Sequence, residues 1–223
     1  MAAQYGSDLI VDLLRALGIE YVALNPGSSF RGIHDSLVNY DSKRGPEIVL
    51  CCHEEIAVAA AHGYAKATGR SMAAIVHNVV GLQHASMAIY NAWCDRTPIL
   101  VMGGTGPMNS SKRRPWIDWI HTALVQGNLV RDFVKWDDQP VGVEAIPSSV
   151  LRGYRIAMSD PKGPVYLCFD VTDQEAKLEK EIPIPDPARF RPLAPLQADA
   201  GAIKDAARLL AEAQNRVVLA DYV

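Results

Sequence analysis

The sequence predicts an α/β protein with three layers, in which helices cover both faces of a mostly parallel central sheet. Helix-forming segments alternate along the chain with short apolar runs that suit strands. The residues best suited to chemistry follow the ends of those strands, where ligands gather in open parallel sheets. The chain has 223 residues, 49% of them hydrophobic and 21% charged, which is enough apolar material for a core.

The elements follow one another in a regular order. The first helix has an apolar face, and Gly18 is suited to end it. That face consists of Leu9, Leu13, Leu14 and Leu17. We then expect strands at 21–24, 47–52, 72–77, 98–103 and 164–169, with helices near 31–40, from Glu54 onward, near 82–93, near 121–127 and near 143–158.

The end of the chain has a different composition. Prolines crowd residues 181–199, and such density favours an extended connector at a domain boundary. We therefore predict a domain at 1–178, a linker at 179–199 and the start of a second domain at 200–223. A helix over 200–210 and a strand at 217–220 cannot bury a core, so we expect a fragment of a longer protein.

Composition and charge exclude several classes of function. The formal net charge is −3, and no basic cluster indicates nucleic acid as the main partner. Neither a signal peptide nor a membrane span is visible. We interpret the four cysteines as reduced core residues, which fits a cytoplasmic protein. No metal ligand is predicted, because no two short-spaced ligand pairs occur; a zinc site among the six histidines is the less favoured alternative.

The loop at 105–120 carries a basic run, Lys112-Arg113-Arg114, and two tryptophans. The basic run suits a solvated loop, or alternatively an anionic substrate or a neighbouring subunit. Trp116 and Trp119 would be costly to expose, so we expect them to pack against a partner.

The helix that begins at Glu54 places one carboxylate on an apolar face. Glu54 shares its face with Val58, Ala61 and Ala65, whereas Glu55 lies on a polar stripe. A carboxylate among apolar side chains must be paired, protonated or waiting for a ligand. The alternative is an acidic residue that merely complements the positive end of the helix.

Other candidate residues also follow strands. Asn25-Pro26-Gly27-Ser28 comes after the strand at 21–24, and His77 ends the strand at 72–77. With Glu54 they should meet at one edge of the sheet. The alternatives are an ordinary strand-to-helix turn, an N-cap role for Ser28 and a hydrogen-bonded core histidine at position 77.

These segments together resemble the thiamine-diphosphate (ThDP) enzymes of the acetolactate synthase, pyruvate decarboxylase and benzoylformate decarboxylase superfamily. The resemblance covers roughly residues 5–175 and implies the pyrimidine-binding fold of their N-terminal domain. It depends on ordered motifs. These are Asn25-Pro26-Gly27-Ser28, His53-Glu54 with Gly63-Tyr64-Ala65 and Thr68-Gly69, His77, Asn91-Ala92-Trp93, Asp95–Gly104, Val134-Lys135-Trp136, Pro140 and Gly163–Leu167.

The resemblance implies a role for each matched residue. Glu54 corresponds to the glutamate that hydrogen-bonds the N1′ nitrogen of the cofactor's aminopyrimidine and so activates it. Asn25-Pro26-Gly27 would approach the pyrimidine edge or the reacting centre, Ser28 a substrate carboxylate, and His77 would donate a proton during the reaction. Gly81-Leu82-Gln83-His84 implies cofactor contacts by Gly81 and His84, although most members have asparagine where this chain has His84.

The resemblance also implies partners beyond this chain. Magnesium and the diphosphate are held by a Gly-Asp-Gly motif on a separate domain, and the sequence lacks that motif. FAD would need a central domain, and cofactor binding by this chain alone should be weak or absent. The implied protein is a homodimeric or homotetrameric decarboxylase or carboligase for 2-keto acids, closest in His77 and residues 134–136 to benzoylformate decarboxylase. The alternatives are a non-catalytic binding or oligomerisation module and one subunit of a split decarboxylase.

Overall fold

The computed structural model describes residues 2–40 and 45–219. The chain divides into two compact units, Met1–Leu193 and Ala194–Val223. The strands of the first unit are β1 Tyr21–Leu24, β2 Glu47–Leu50, β3 Met72–Val76, β4 Ile99–Thr105, β5 Asp137–Asp138 and β6 Val165–Asp170. Its helices are α1 Gly6–Ala16, α2 Arg31–Asn39, α3 Glu54–Thr68, α4 Val80–Cys94, α5 Ile117–His121, α6 Ile146–Met158 and α7 Val171–Gln174.

The strands form one sheet in the order β2-β1-β3-β4-β6-β5, and every neighbouring pair is parallel. The predicted α/β class is confirmed. Each strand of a parallel sheet needs a crossover, which the helices supply on both faces. The carboxyl ends of all six strands therefore lie at one edge.

Two separate apolar clusters explain why the central strands are so hydrophobic. One face of the sheet packs against α1, α2 and α6, and the other packs against α3 and α4. Strands β3, β4 and β6 are buried along their whole length, because both of their faces are covered. Full burial of one leucine or isoleucine side chain contributes about 1.5–3 kcal/mol, so these layers hold the sheet together.

The start of the chain agrees with its sequence pattern. Helix α1 buries Leu9, Leu13 and Leu14. Gly18 follows the end of this helix with φ of +69°, a left-handed conformation that favours glycine. The helix end is therefore where the glycine predicted it.

Two parts of the first unit differ from expectation. The helix expected near 121–127 is wrong: α5 ends at His121, and Gln126–Leu129 forms only a 3₁₀ turn. Gln126 is fully buried, and its side-chain amide donates to the Gly104 carbonyl at 3.1 Å, which fixes this segment against β4. The short elements β5 and α7 were not predicted, since two to four residues carry no periodic pattern.

The proline-rich segment is largely without regular structure, apart from a 3₁₀ turn at Pro187–Phe190. Ile182, Ile184 and Phe190 nevertheless pack against the apolar cluster of α1, α2 and α6. The compact unit thus extends past residue 178, and the predicted domain boundaries remain predictions.

The second unit contains one helix, α8 Ala200–Glu212, which begins where the Asp199 carboxylate accepts from the Ala202 amide at 2.9 Å. The strand expected at 217–220 is wrong for 217–219, which form no strand; Ala220 lies outside the described residues. A strand needs a hydrogen-bonded neighbour, and among residues 2–40 and 45–219 none pairs with this segment.

The cysteines are free, but they do not all lie in the core. Cys51 and Cys168 are buried as expected, whereas Cys52 and Cys94 are exposed, which corrects the prediction for those two. Cys52 lies beyond the end of β2, and Cys94 is the last residue of α4, so neither is covered by the sheet and its helices. In the described part of the chain, no helix has the length and apolar character needed to cross a membrane.

Candidate active site

The candidate residues collect at the carboxyl edge of the sheet because their strands are neighbours. Strand β1 lies between β2 and β3, so the segments that follow these three strands emerge side by side. Asn25–Ser28 follows β1, Glu54 begins the helix after β2, and His77 follows β3. The arrangement expected from the sequence is therefore present.

Glu54 is a buried carboxylate at the first residue of α3, with 5% of its surface exposed. Val58, Ala61 and Ala65 on its face are buried and Glu55 is exposed, as the helical pattern predicted. Among the described residues the Glu54 carboxylate has no hydrogen-bond partner, and its recorded ion-pair contact is the Nδ1 of His84 at 3.7 Å. A buried carboxylate whose recorded partner is a single imidazole at this distance is costly, which marks it as a candidate for ligand binding.

Capping of helix α3 does not account for Glu54. His53 is the N-cap residue, and its Nδ1 accepts a hydrogen bond from the Glu55 amide at 3.2 Å. The cap is therefore provided by the neighbouring side chain. Glu54 is left free to face the interior of the site.

Two glycines allow the site to close around Glu54 and His77. A Cβ at Gly81 would lie 2.8 Å from Glu54 Oε1 and 2.9 Å from His77 Cβ. A Cβ at Gly27 would lie 2.8 Å from His77 Nδ1 and 2.9 Å from the Phe30 ring. The loop after β1, the start of α3 and the start of α4 thus approach one another only because both positions lack side chains.

His77 is held by a serine that the sequence did not single out. Its Nδ1 lies 2.9 Å from Ser29 Oγ, and that hydroxyl accepts from the Asn78 amide, also at 2.9 Å. The Ser29 hydroxyl can donate to Nδ1 or accept from it, so this contact fits either tautomer of the neutral ring. Ser29 therefore sets the orientation of the imidazole.

The surroundings of His77 favour its neutral form. Burial lowers the pKa of His77, and the nearby His121 lowers it further, while the Glu54 carboxylate acts in the opposite direction. The two imidazole rings lie 5.6 Å apart, nearly perpendicular at 88°. Near neutral pH the His77 ring therefore carries a single proton.

A small cleft beside His77 contains further groups absent from the sequence prediction. Its lining includes Ser28, Ser29, Asn78 and His121. Asn78 is buried, and its Oδ1 lacks a hydrogen-bond partner within the described ranges. His121 reaches the cleft from α5, across the loop at 105–120, and no signal in the sequence pointed to it.

The residues of the loop after β1 differ in how far they are exposed. Asn25 and Gly27 are half-buried, whereas Pro26 and Ser28 are exposed. Helix α2 begins after Phe30 with no side-chain cap, so Ser28 does not act as an N-cap. Ser28 instead faces the cleft, next to the buried Ser29.

The basic run of the loop at 105–120 is partly neutralised within the chain. The Arg114 guanidinium donates two hydrogen bonds to the buried Asp118, at 2.9 and 3.2 Å, and the Arg114 amide donates a third at 2.8 Å; this pairing holds the pKa of Asp118 below its usual range. Arg113 stacks over the Trp119 ring at 4.9 Å. Trp116 and Trp119 are both exposed, so the surface against which they were expected to pack is not provided by the described residues.

His84 lies at the rim of the site, with 60% of its side chain exposed. Its ring stacks on His53 with centroids 4.9 Å apart and planes 18° from parallel. The donor atoms of His53, Glu54 and His84 all lie within 4.8 Å of one another. The sequence did not predict this cluster, because His53 and Glu54 lie at the start of α3 whereas His84 lies on α4.

The comparisons with known proteins agree with this geometry. A family model described as thiamine pyrophosphate enzyme, N-terminal TPP binding domain, matches residues 4–129. The acetolactate synthase large subunit of Lactococcus lactis subsp. lactis is 30% identical over 161 residues, which are 72% of this chain and 26% of that protein. The benzoylformate decarboxylase of Pseudomonas aeruginosa is 27% identical over 206 residues, 92% of this chain and 36% of that protein.

A solved structure shows the same architecture. The crystal structure of benzoylformate decarboxylase from Polynucleobacter necessarius superposes with a TM-score of 0.79 at 26% identity, covering 96% of this chain and 38% of that one. The chain thus spans between 26% and 38% of the length of these three proteins.

Proposed function

The chain belongs to the thiamine pyrophosphate enzymes, as their N-terminal TPP binding domain, and on this premise we propose that it supplies the pyrimidine-binding half of an active site for 2-keto acids. Glu54 is the proposed contact to the N1′ nitrogen of the cofactor's aminopyrimidine. The observation that carries the proposal is the Glu54 carboxylate itself, buried and without a hydrogen-bond partner among the described residues.

The residues present fit an aminopyrimidine ring. A ring nitrogen would give the buried Glu54 carboxylate the partner that its surroundings lack. Gly27 and Gly81 let the backbone pack directly against His77 and Glu54, where a Cβ would clash, so these loops add no side chain beside either group. When bound, the cofactor's thiazolium supplies the electron sink that 2-keto acid chemistry requires.

Glu54 has one task in this proposal, which is to hold a proton at the pyrimidine nitrogen. The apolar face of α3 around Glu54 excludes water, which strengthens a hydrogen bond between the carboxyl group and a ring nitrogen. Asn25, Pro26 and Gly27 flank the ring in this arrangement, and His84 lies at its rim.

His77 is the proposed proton donor. Donation requires the imidazolium form, so the ring first takes up a proton from solvent, and Ser29 holds the ring in place through Nδ1. The adjoining cleft is lined by Ser28, Asn78 and His121 together with the paired Arg114 and Asp118, and its hydroxyl, amide and imidazole groups are the proposed contacts to the carboxylate of a 2-keto acid. The lowered pKa of His77 makes its imidazolium a stronger acid than an ordinary histidine, which suits proton donation to a bound substrate.

We further propose that the diphosphate and its Mg²⁺ are held by a Gly-Asp-Gly segment, which this sequence does not contain. The relatives named above include a carboligase type and a decarboxylase type; a histidine at position 77 favours the decarboxylase reaction. FAD dependence would follow the carboligase alternative. The free cysteines fit a reducing compartment and hence a cytoplasmic enzyme.

A homo-oligomer formed through this domain is supported by the outer face of α4. Val80, Met87 and Tyr90 are exposed there at helical spacing, and Ile56 is exposed on the adjacent α3. Several large apolar side chains exposed on neighbouring helices are typical of a protein interface. The partner proposed for this face is a second copy of the chain.

Replacement of Glu54 by glutamine tests the proposal in the full-length enzyme. Glu54→Gln keeps the shape but cannot take part in proton sharing, so we expect kcat to fall by at least about a hundredfold, as for lost acid-base groups. Glu55→Gln, on the exposed stripe, is the matched control and should retain activity. Equal activity of the two variants would contradict the cofactor role of Glu54 and would favour a non-catalytic binding module.

A further inference from the structure

Three metal-ligand side chains meet at the rim of the site, although the sequence predicted none. His53, Glu54 and His84 each offer one donor atom, and these atoms lie within 4.8 Å of one another. The set combines two imidazoles with one carboxylate, a donor combination that holds zinc in some enzymes. Glu54 is buried and has no hydrogen-bond partner in the described part of the chain, so its oxygens remain available.

Binding of an ion requires the His84 ring to turn out of its stack on His53, because the in-plane lone pairs of two nearly parallel rings cannot converge on one ion. Bonds of about 2.0–2.1 Å in a tetrahedral site place donor atoms about 3.3 Å apart. His84 can supply the movement, because 60% of its side chain is exposed. His53 is already oriented, since its Nδ1 accepts from the Glu55 amide and its Nε2 remains for a ligand.

We propose that His53, Glu54 and His84 form a site for a transition-metal dication of the zinc type, and that this ion excludes the aminopyrimidine ring. The exclusion depends on the proposed function, because ion and ring would use the same Glu54 carboxylate. Imidazole donors select zinc, nickel or copper, whereas Mg²⁺ prefers oxygen ligands. The cofactor's own magnesium therefore does not compete, and zinc acts as a selective inhibitor.

Zinc titration of this chain without cofactor tests the metal site separately from the enzyme's function. The exposed Cys52 and Cys94 are first replaced by serine, so that neither thiol binds the ion. Calorimetry with zinc chloride should then show one ion per chain. His84→Asn and His53→Asn should each weaken the affinity by more than about tenfold, since even loss of an outer-sphere partner costs that much.

The controls separate loss of a ligand from loss of the fold. Asparagine is a good N-cap, so His53→Asn keeps the start of α3 intact, and circular dichroism verifies the fold of each variant. His34→Asn removes a histidine of α2 outside the cluster and should bind zinc as the parent does. Unchanged zinc affinity in His84→Asn and His53→Asn, or equal binding of Mg²⁺, would overturn the metal site.

Competition between zinc and ThDP in the full-length enzyme tests whether the ion excludes the aminopyrimidine ring. Inhibition by zinc should be relieved as ThDP is raised at fixed Mg²⁺, and it should weaken in His84→Asn. Zinc that binds through the histidines without competing with ThDP would overturn the exclusion. That result would also count against the cofactor role of Glu54, while leaving the metal site in place.

Discussion

The close packing at Gly81 gives the most direct physical test of the site. A Cβ at this position would lie 2.8 Å from Glu54 Oε1 and 2.9 Å from His77 Cβ. Both distances are shorter than side chains tolerate, so Gly81→Ala must displace the Glu54 carboxylate, His77 after the end of β3 or the start of α4. Insertion of a methyl group into a filled space costs about 1–3 kcal/mol of unfolding free energy.

The expected shift is measurable by thermal denaturation. For a domain of this size, about 1 kcal/mol corresponds to a change in Tm of about 2–4 °C, so Gly81→Ala should lower Tm by about 2–12 °C. In the full-length enzyme the same variant should raise the KM for ThDP, because the displaced carboxylate no longer faces the ring. Activity loss beyond the stability loss is the signature of a site effect.

Gly63→Ala is the matched control for this experiment. Gly63 lies within α3, and a Cβ there would meet nothing within 4 Å. Alanine favours the helix by about 0.5–1 kcal/mol relative to glycine, so this variant should be as stable as the parent or slightly more stable. If Gly81→Ala behaves like Gly63→Ala, the close approach of α4 to Glu54 is not a feature of the folded protein.

Two further predictions concern the serine and the histidine beside the cleft. Ser29→Ala should lower the unfolding free energy by about 1–3 kcal/mol, because the buried Asn78 amide and the His77 ring lose their shared partner. The control Ser28→Ala, at an exposed position, should change it by less than about 0.5 kcal/mol. Equal effects of the two variants in urea denaturation would refute the assignment of Ser29 as the positioning serine. The lowered pKa of His77 means that the unfolded chain binds a proton more readily than the folded chain as pH falls through its ordinary value of 6.5. The unfolding free energy should therefore decline as the pH falls from 6.5 to the folded-state pKa of His77. His77→Asn should flatten that decline in denaturation curves measured from pH 7.5 to 5. An unchanged dependence on pH in the variant would show that folding does not protect His77 from protonation.

The burial of Glu54 could be predicted from its sequence because helical periodicity is a local property. Position 54 shares a face with 58, 61 and 65, and that spacing needs no knowledge of the rest of the fold. The meeting of Glu54 with His77 followed from a second general rule, the common edge of parallel strands. Both arguments concern backbone direction, which sequence patterns determine well.

Ser29, Asn78 and His121 show where such arguments end. Ser28 and Ser29 are adjacent in a turn, and only the 3₁₀ conformation decides which one is buried. His121 reaches the cleft from a helix of five residues whose position depends on contacts such as Arg114 with Asp118. The cluster of His53 and His84 likewise depends on how α3 packs against α4. Tertiary packing, which carries no local periodicity, fixed each of these positions.

Separate segments of the chain bury Glu54, and this limits how its site could be grafted onto another protein. A peptide with the sequence of residues 53–69 would contain all of α3 and its N-cap residue, but water would surround the Glu54 carboxylate. The segments bearing Gly27 and Gly81 must arrive from distant parts of the chain before that side chain is dehydrated. Its burial thus depends on tertiary packing, and grafting the motif alone onto a foreign scaffold would yield an ordinary surface glutamate.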